Sequence, residues 1–349
     1  MLKIDGSYGE GGGQILRTAV SLSAIMGKSI EIINIRSNRS RPGLRPQHVV
    51  AIKTIAELFH ATVENLKVGE NWIRFTPTND KFDHKFTKVD VGSAGSIPLI
   101  LQALIPTVSL SCNSLNIHIT GGTDVMMSPT MDYFRNIVME LYRNIGIKCS
   151  IEILKRGYYP QGGGIIRAEI SPCKKPNTID LLSTRCLEPR IVCVCCQLPI
   201  HVAERQISSS LLELEKNGVR CDGYLSSYER SSSPGSSLLV FSMSDFGPYI
   251  GGDSIGELGK PAEKVGTEAA QRFLESYHAA VPVDFFLADM LVVPLSLSKG
   301  KSRYRVGKVT NHLKTNLQIA SVISGSKYFI EPVDKSYIIM IDGSCSSYG

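Results

Sequence analysis

An α/β architecture built from repeated units, with a smaller α/β domain inserted into it, is what this sequence predicts. Three stretches share one layout of Gly-rich turn, apolar-periodic helix and short β-branched strand, and a stretch of different pattern follows them. The chain's 349 residues also exceed the roughly 250–300 at which a single hydrophobic core stops growing. Units of a few tens of residues cannot bury their apolar faces alone, so the copies are expected to pack into one body.

The first stretch, GEGGGQILRTAVSLSAIMGKSIEIINI, sets Leu16, Ala19, Val20 and Leu22 at helical spacing, stops at Gly27 and resumes as a strand over Ile30 to Ile35. The second runs from VGSAGSIPLILQALIPTV to LNIHI. The third, opening at GGTDVMMSP, has Pro129 near its helix start and Gly146 near its end. From Leu187 to Tyr277 the pattern changes to strand IVCVCCQLPI, helix AERQISSSLLELEKNG, a strand pair around YLSSYE and SSLLVFSMS, and helix PAEKVGTEAAQRFLESY. This defines the expected insert, 187–277, within a larger body of 1–186 and 278–349. FFLADMLVVPLSLSKG and NHLKTNLQIASVI read as two further helices that rejoin that body.

Apolar residues make up 43% of the chain and charged residues 20%, which excludes a disordered or coiled-coil protein. No run reaches the roughly 18 apolar residues of a membrane span, and the first residues lack a signal-peptide pattern. The expectation is a soluble, cytoplasmic protein. Its nine cysteines are then expected as thiols, without an obligatory disulfide framework. Net charge is only +6, but Arg36, Arg39, Arg41 and Arg45 crowd one short segment with Gln47 and His48 and with no acid among them. Such a segment suits an anionic partner.

The common phosphate loops are absent. GKS at 27–29 and at 300–302 lacks the upstream glycine of a Walker A loop, Leu22 and Leu295 standing there, and Gln14 breaks the GxGxxG that Gly9 and Gly11 begin. Gly9-Glu10-Gly11-Gly12-Gly13-Gln14 nevertheless leads into a helix, so its backbone suits an anion, with Glu10 able to hold a divalent cation; a tight turn needing positive φ is the alternative. Lys3-Ile4-Asp5-Gly6 matches the KxDG of lysine-charged ligases, but only Met1 and Leu2 precede it, and the edge of a first strand explains it better. Cys193-Val194-Cys195-Cys196 reads as a buried strand, since no second pair completes a zinc set. His312, in GKVTNHLKTN at a strand-to-helix junction, is either structural or a nucleophile, because a neutral imidazole attacks phosphorus to give a reactive P–N bond.

Taken together, these stretches resemble the RNA 3'-terminal phosphate cyclase family over nearly the whole chain. The resemblance rests on DGSYGEGGGQILR, IRSNRSRPGLRPQH, GSAGS with Gln102 beyond it, GGTDV with the following SP and DYF, RGYYPQGGG, HVAER, GELGKPAEKVG, FFLADMLVVPLSL and NHLKTN, in the family's order. It implies three βαβαββ-like units, a smaller inserted α/β domain, and conversion of RNA 3'-phosphate ends to 2',3'-cyclic phosphodiesters with ATP and Mg2+ or Mn2+. It also implies that His312 carries AMP and that Gln102, Pro129 and Phe286-Leu287-Ala288-Asp289-Met290 contact ATP, Asp289 meeting ribose or metal. Glu10 would help hold the metal, and Arg17, Arg36, Arg39, Gln47 and His48 would grip RNA phosphates. A homodimer is compatible with this reading. Phe286 and Met290 stand where bacterial members carry Tyr and Gln, and Asp253 lies near a position where an aromatic stacks on adenine, so those contacts are not carried over. A non-catalytic ribosome-assembly relative of the same fold is the alternative function; such members lack the histidine.

Overall fold

The computed structural model describes residues 1–78, 86–92, 94–184, 188–221, 223–244 and 247–344. Cys186, Leu187 and Cys345 lie outside the described residues, as does Ser93 of the GSAGS motif, so the expected 186/187 boundary falls there too.

One wiring pattern occurs three times. The first copy is β1 (Leu2–Asp5), α1 (Gly13–Met26), β2 (Ile30–Ile33), α2 (Pro46–Leu58), β3 (Thr62–Glu64) and β4 (Ile73–Thr76), giving a sheet of order β1-β2-β4-β3. The second is β5 (Phe86–Asp90), α3 (Ile97–Leu110), β6 (Leu115–Gly121), a composite helix, β7 (Cys149–Lys155) and β8 (Gly164–Ile170), of order β5-β6-β8-β7. The composite helix is α4 (Met131–Tyr133), a π-helical turn (Phe134–Val138) and α5 (Met139–Asn144). In both sheets the first two strands are parallel and the other pairings antiparallel.

The third copy opens with β9 (Asp180–Leu181) and is then interrupted by β10 (Arg190–Cys196), α6 (Ile200–Lys216), β11 (Gly223–Tyr228), β12 (Gly235–Met243), β13 (Tyr249–Ile255) and α7 (Ala262–His278). It resumes as α8 (Phe285–Met290), α9 (Val292–Ser296), β14 (Lys301–Val306), α10 (Asn311–Ser324), β15 (Lys327–Val333) and β16 (Ser336–Asp342), closing a sheet of order β9-β14-β16-β15 with the same parallel first pair. The interrupting segment builds its own sheet, β11-β10-β12-β13, with α6 and α7 packed together over a separate cluster of buried side chains. Cys193 and Cys195 are fully buried in that cluster as free thiols, as their alternation in the strand predicts.

The repeat count matches expectation, but its phasing does not. The stretches opening at Val91 and Gly121 are two halves of the second copy. The third copy is the C-terminal one, where the sequence pattern shows two helices and a strand-to-helix junction but no repeat; its first strand is two residues long and the insert separates it from the rest, so no continuous period survives. FFLADMLVVPLSLSKG is not one helix either, because α8 and α9 meet at Leu291.

Helix α1 packs against α2, α3 and α10, which brings the Gly-rich turn before α1 to the start of α10. Local chemistry fixes both helices. Thr310 caps α10 by accepting the Leu313 N–H at 3.0 Å, while Gly27 and Gly325, at φ +64 and +79, end α1 and α10 in the left-handed conformation. Among the described residues, no helix is long and apolar enough to cross a membrane.

Candidate active site

The site grows from the turn at residues 9–13. Gly9 has φ +59, and a Cβ there would stand 2.2 Å from Thr315 Oγ1, so only glycine lets the turn press against α10. Glu10 is thereby held beside His312, the second residue of α10. Glu10 Oε2 lies 3.0 Å from His312 Nε2 and 3.0 Å from an Arg39 Nη2 donor. Burial lowers the His312 imidazole below its usual 6.5; Arg17 and Arg39 act in the same sense, and only the Glu10 charge opposes them. The neutral form of His312 is therefore favoured at physiological pH.

Asp289, from α8, faces the same corner. Thr310 Oγ1 donates to its Oδ1 at 3.4 Å, and its backbone carbonyl accepts from Asn316 Nδ2 at 3.2 Å. Asn316 in turn accepts from Thr18 Oγ1 at 2.6 Å, tying α1, α8 and α10 together through one buried amide. Burial pushes the Asp289 carboxyl well above the ordinary carboxylate range, and the Glu10 charge adds to it, against the Thr310 hydrogen bond and the Arg17 charge. Arg17 donates to Gln14 Oε1, and burial brings its guanidinium down to about 10. The Nε atoms of Arg17, Arg36 and Arg39 are buried without acceptors, so donor capacity here exceeds what the protein itself uses.

Gln14, Arg17, Asp289 and His312 open onto a cleft of about 710 Å³. Of the residues expected to contact nucleotide, Gln102, Pro129, Phe286, Asp289 and Met290 line it together with His312 and Arg17. Leu287 and Ala288 do not; both are fully buried in the hydrophobic core on the inner face of α8. The opposite wall comes from the insert and carries Asp253, Ile255, Lys260 and Arg272. Asp253 is itself buried, its Oδ2 accepting the Thr130 N–H at 2.7 Å.

The basic segment flanks this corner. A Cβ on Gly12 would stand 3.3 Å from Arg39 Nη2 and 3.6 Å from His312 Cε1, so Gly12 separates the two side chains. Arg36 sits at φ +54 and donates to the Arg41 carbonyl at 3.3 Å, while Gln47 is half-buried at the start of α2. His48, unlike the arginines around it, is buried. It is 3% exposed, and its Nδ1 accepts the Arg45 N–H at 3.1 Å as part of the α2 cap. Burial lowers it to about 3, with Arg17, Arg36 and Arg45 contributing. A neutral, buried imidazole offers no charge to a phosphate. Lys3 lies on the edge strand β1, 65% exposed and paired with Glu31 at 3.8 Å, away from the residues lining the cleft.

The profile of RNA 3'-terminal phosphate cyclases matches residues 8–330. The chain belongs to the RNA 3'-terminal phosphate cyclase family. It is 40% identical over 345 residues to the RNA 3'-terminal phosphate cyclase of Pyrobaculum aerophilum, covering 98% of each chain, and 42% identical over 334 residues to that of Pyrococcus abyssi, covering 95% of each. The cyclase of Archaeoglobus fulgidus is 38% identical over 325 residues, 93% of this chain and 96% of its own.

As a cyclase-family enzyme the chain carries further cleft residues that its motifs did not single out. Gln14 stands at the end of the Gly-rich run, Tyr133 in the DYF motif, and Lys260 in GELGKPAEKVG; each was inside a quoted motif, yet only the fold turns their side chains to one cavity. Among the described residues, no group of three or more His, Cys, Asp or Glu is arranged to hold a metal ion. A cation carried on substrate phosphates needs only one or two protein carboxylates. Glu10, half-exposed beside His312, fits that lesser requirement.

Proposed function

We propose that this chain converts RNA 3'-terminal phosphates to 2',3'-cyclic phosphodiesters with ATP, through covalent AMP on His312 and an RNA(3')pp(5')A end, releasing pyrophosphate and AMP. The observation that carries the reading is the pairing of a half-exposed His312 imidazole with Glu10 at 3.0 Å on the edge of the cleft. In the first step Glu10 takes the Nε2 proton, leaving His312 neutral with its proton on Nδ1; the freed Nε2 lone pair attacks the α-phosphorus, the P–N bond forms and the bond to the β-phosphate oxygen breaks, releasing pyrophosphate. Gln102, Pro129, Phe286, Asp289 and Met290 hold the nucleotide, with the α8 backbone at Leu287 and Ala288 shaping that wall. Glu10 would also be the carboxylate to help hold Mg2+ or Mn2+, which would neutralise phosphate charge.

An RNA 3'-phosphate oxygen then attacks the AMP phosphorus, the P–N bond breaks and the imidazole regains its proton. Finally the neighbouring 2'-OH attacks the 3'-phosphorus and AMP leaves. That closure is fast because nucleophile and electrophile sit on one ribose. Arg17, Arg36, Arg39 and Gln47 supply the phosphate grip, which gives weak sequence preference and salt-sensitive binding. In this reading residues 1–186 and 278–349 form the catalytic body and 187–277 a smaller inserted domain, in a soluble cytoplasmic enzyme.

A phosphatase-protection assay tests the overall reaction. RNA labelled in its 3'-phosphate should retain the label against alkaline phosphatase after incubation with protein and ATP, and lose it when ATP is omitted. Label that remains phosphatase-sensitive in the presence of ATP, on RNA that the protein still binds, would transfer the reading to a non-catalytic RNA-binding factor.

A further inference from the structure

Behind the cleft, four donors converge on one carboxylate that belongs to none of the motifs used above. Asp284 is 1% exposed. The Tyr133 hydroxyl donates to it at 2.7 Å, the Gly251 N–H at 2.9 Å, and the Phe286 and Leu287 N–H groups at 2.9 Å each. The four donors come from three walls of the cleft. Tyr133 belongs to the composite helix that follows Pro129. Gly251 lies in β13, two residues before Asp253. Phe286 and Leu287 open α8, the helix that carries Asp289 and Met290.

The walls also touch by packing here. The Tyr133 and Phe286 rings stand edge to face at 6.4 Å, and a Cβ on Gly251 would lie 2.2 Å from Ile137 Cδ1, inside the composite helix. A carboxylate is the side chain that accepts from four donors at once. An amide would turn its own N–H groups toward at least one of them, and a hydroxyl has too few lone pairs. Burial pushes Asp284 up to about 6 while the four hydrogen bonds oppose it, so it remains charged at neutral pH. In a low-dielectric interior that arrangement is stiff, because each donor lost leaves the charge less compensated.

We propose that Asp284 is a positioning residue for the nucleotide: by registering β13, the composite helix and α8 against one another, it sets the width of the cleft without touching the ligand. The inference rests on the adenylyl-transfer reading and adds the determinant of its nucleotide affinity. A cap that served only α8 would need the Phe286 and Leu287 bonds alone. The bonds to Tyr133 and Gly251 tie separate elements and have no capping role.

The test uses Asp284→Ser, which retains a residue favoured at helix caps but cannot span the four donors, and Tyr133→Phe, which leaves the α8 cap intact and removes one tie. Two quantities are read: the ATP concentration that half-saturates AMP labelling, and the rate at which RNA discharges enzyme already labelled. Asp284→Ser should raise half-saturating ATP about tenfold, the scale of a lost hydrogen bond to a charged group, while discharge by RNA changes less than about twofold. Tyr133→Phe should shift it in the same direction by less, and it decides the matter alone should Asp284→Ser fail to fold. Unchanged half-saturation, or an equal loss in both steps, overturns the positioning role while leaving adenylyl transfer intact. A wild-type protein that takes no label overturns the underlying reading instead.

Discussion

His312 Nε2 stands 3.0 Å from Glu10 Oε2, although the two residues come from opposite ends of the chain. The contact exists because α1 and α10 pack side by side and because Gly9 lets the preceding turn reach α10. Its consequence is electrostatic. Burial and two arginines drive the imidazole toward its neutral, nucleophilic form, and Glu10 alone counteracts them.

Glu10→Gln should therefore move the acidic limb of AMP labelling to lower pH. Protonated His312 cannot attack, its pKa already lies below 6.5, and removing the one charge that raises it lowers it further. The maximal rate should fall on the order of 10²-fold, the usual contribution of a positioned proton acceptor. A pH–rate profile of label transfer checks both effects; a limb displaced upward would contradict them.

His48 makes the opposite use of an imidazole. Its folded-state pKa is lowered to about 3 from the usual 6.5, so between those values the unfolded chain binds a proton that the folded chain does not. Stability from this group is present above pH 6.5 and is lost as pH falls through that window. Denaturation midpoints at neutral pH and near about pH 5 should differ less in His48→Gln than in the wild type.

Arg36→Ala should weaken RNA binding to a similar extent whatever the sequence and lower the slope of log affinity against log salt by about one. His48→Gln should leave that slope unchanged, since the imidazole is neutral. Binding titrations at several salt concentrations separate the two residues.

Arg156 is fully buried and donates to Glu229 at 2.7 Å, Asp132 at 3.1 Å and Asp124 at 3.2 Å, joining the chain after β7 to the end of β11. Arg156→Met strands two buried carboxylates and should cost about 3–5 kcal/mol. Chemical denaturation measures the loss.

Much of this was legible in the sequence. Short-range chemistry marks α1 and α10, through a glycine run, the Thr310 cap and terminal glycines, and motif order marks the family. What escaped depends on distant contacts. A two-residue β9 has no detectable period, so the third repeat leaves no repeat signature in the sequence. Leu287 and Ala288 sit in the same short motif as Asp289, but helical rotation turns them to the core. His48 neighbours four arginines in sequence, and only the packing of α2 against Gly13 reveals that its ring is buried. Asp284 and Arg156 draw partners from elements far apart in the chain, which no local pattern announces.

Transfer of label from α-labelled ATP to wild type, His312→Ala and Lys3→Ala tests the covalent step most directly. The predicted result is label on wild type and Lys3→Ala, none on His312→Ala, and release of the label as AMP when 3'-phosphorylated RNA is added. Label retained by His312→Ala, or lost in Lys3→Ala alone, would contradict it.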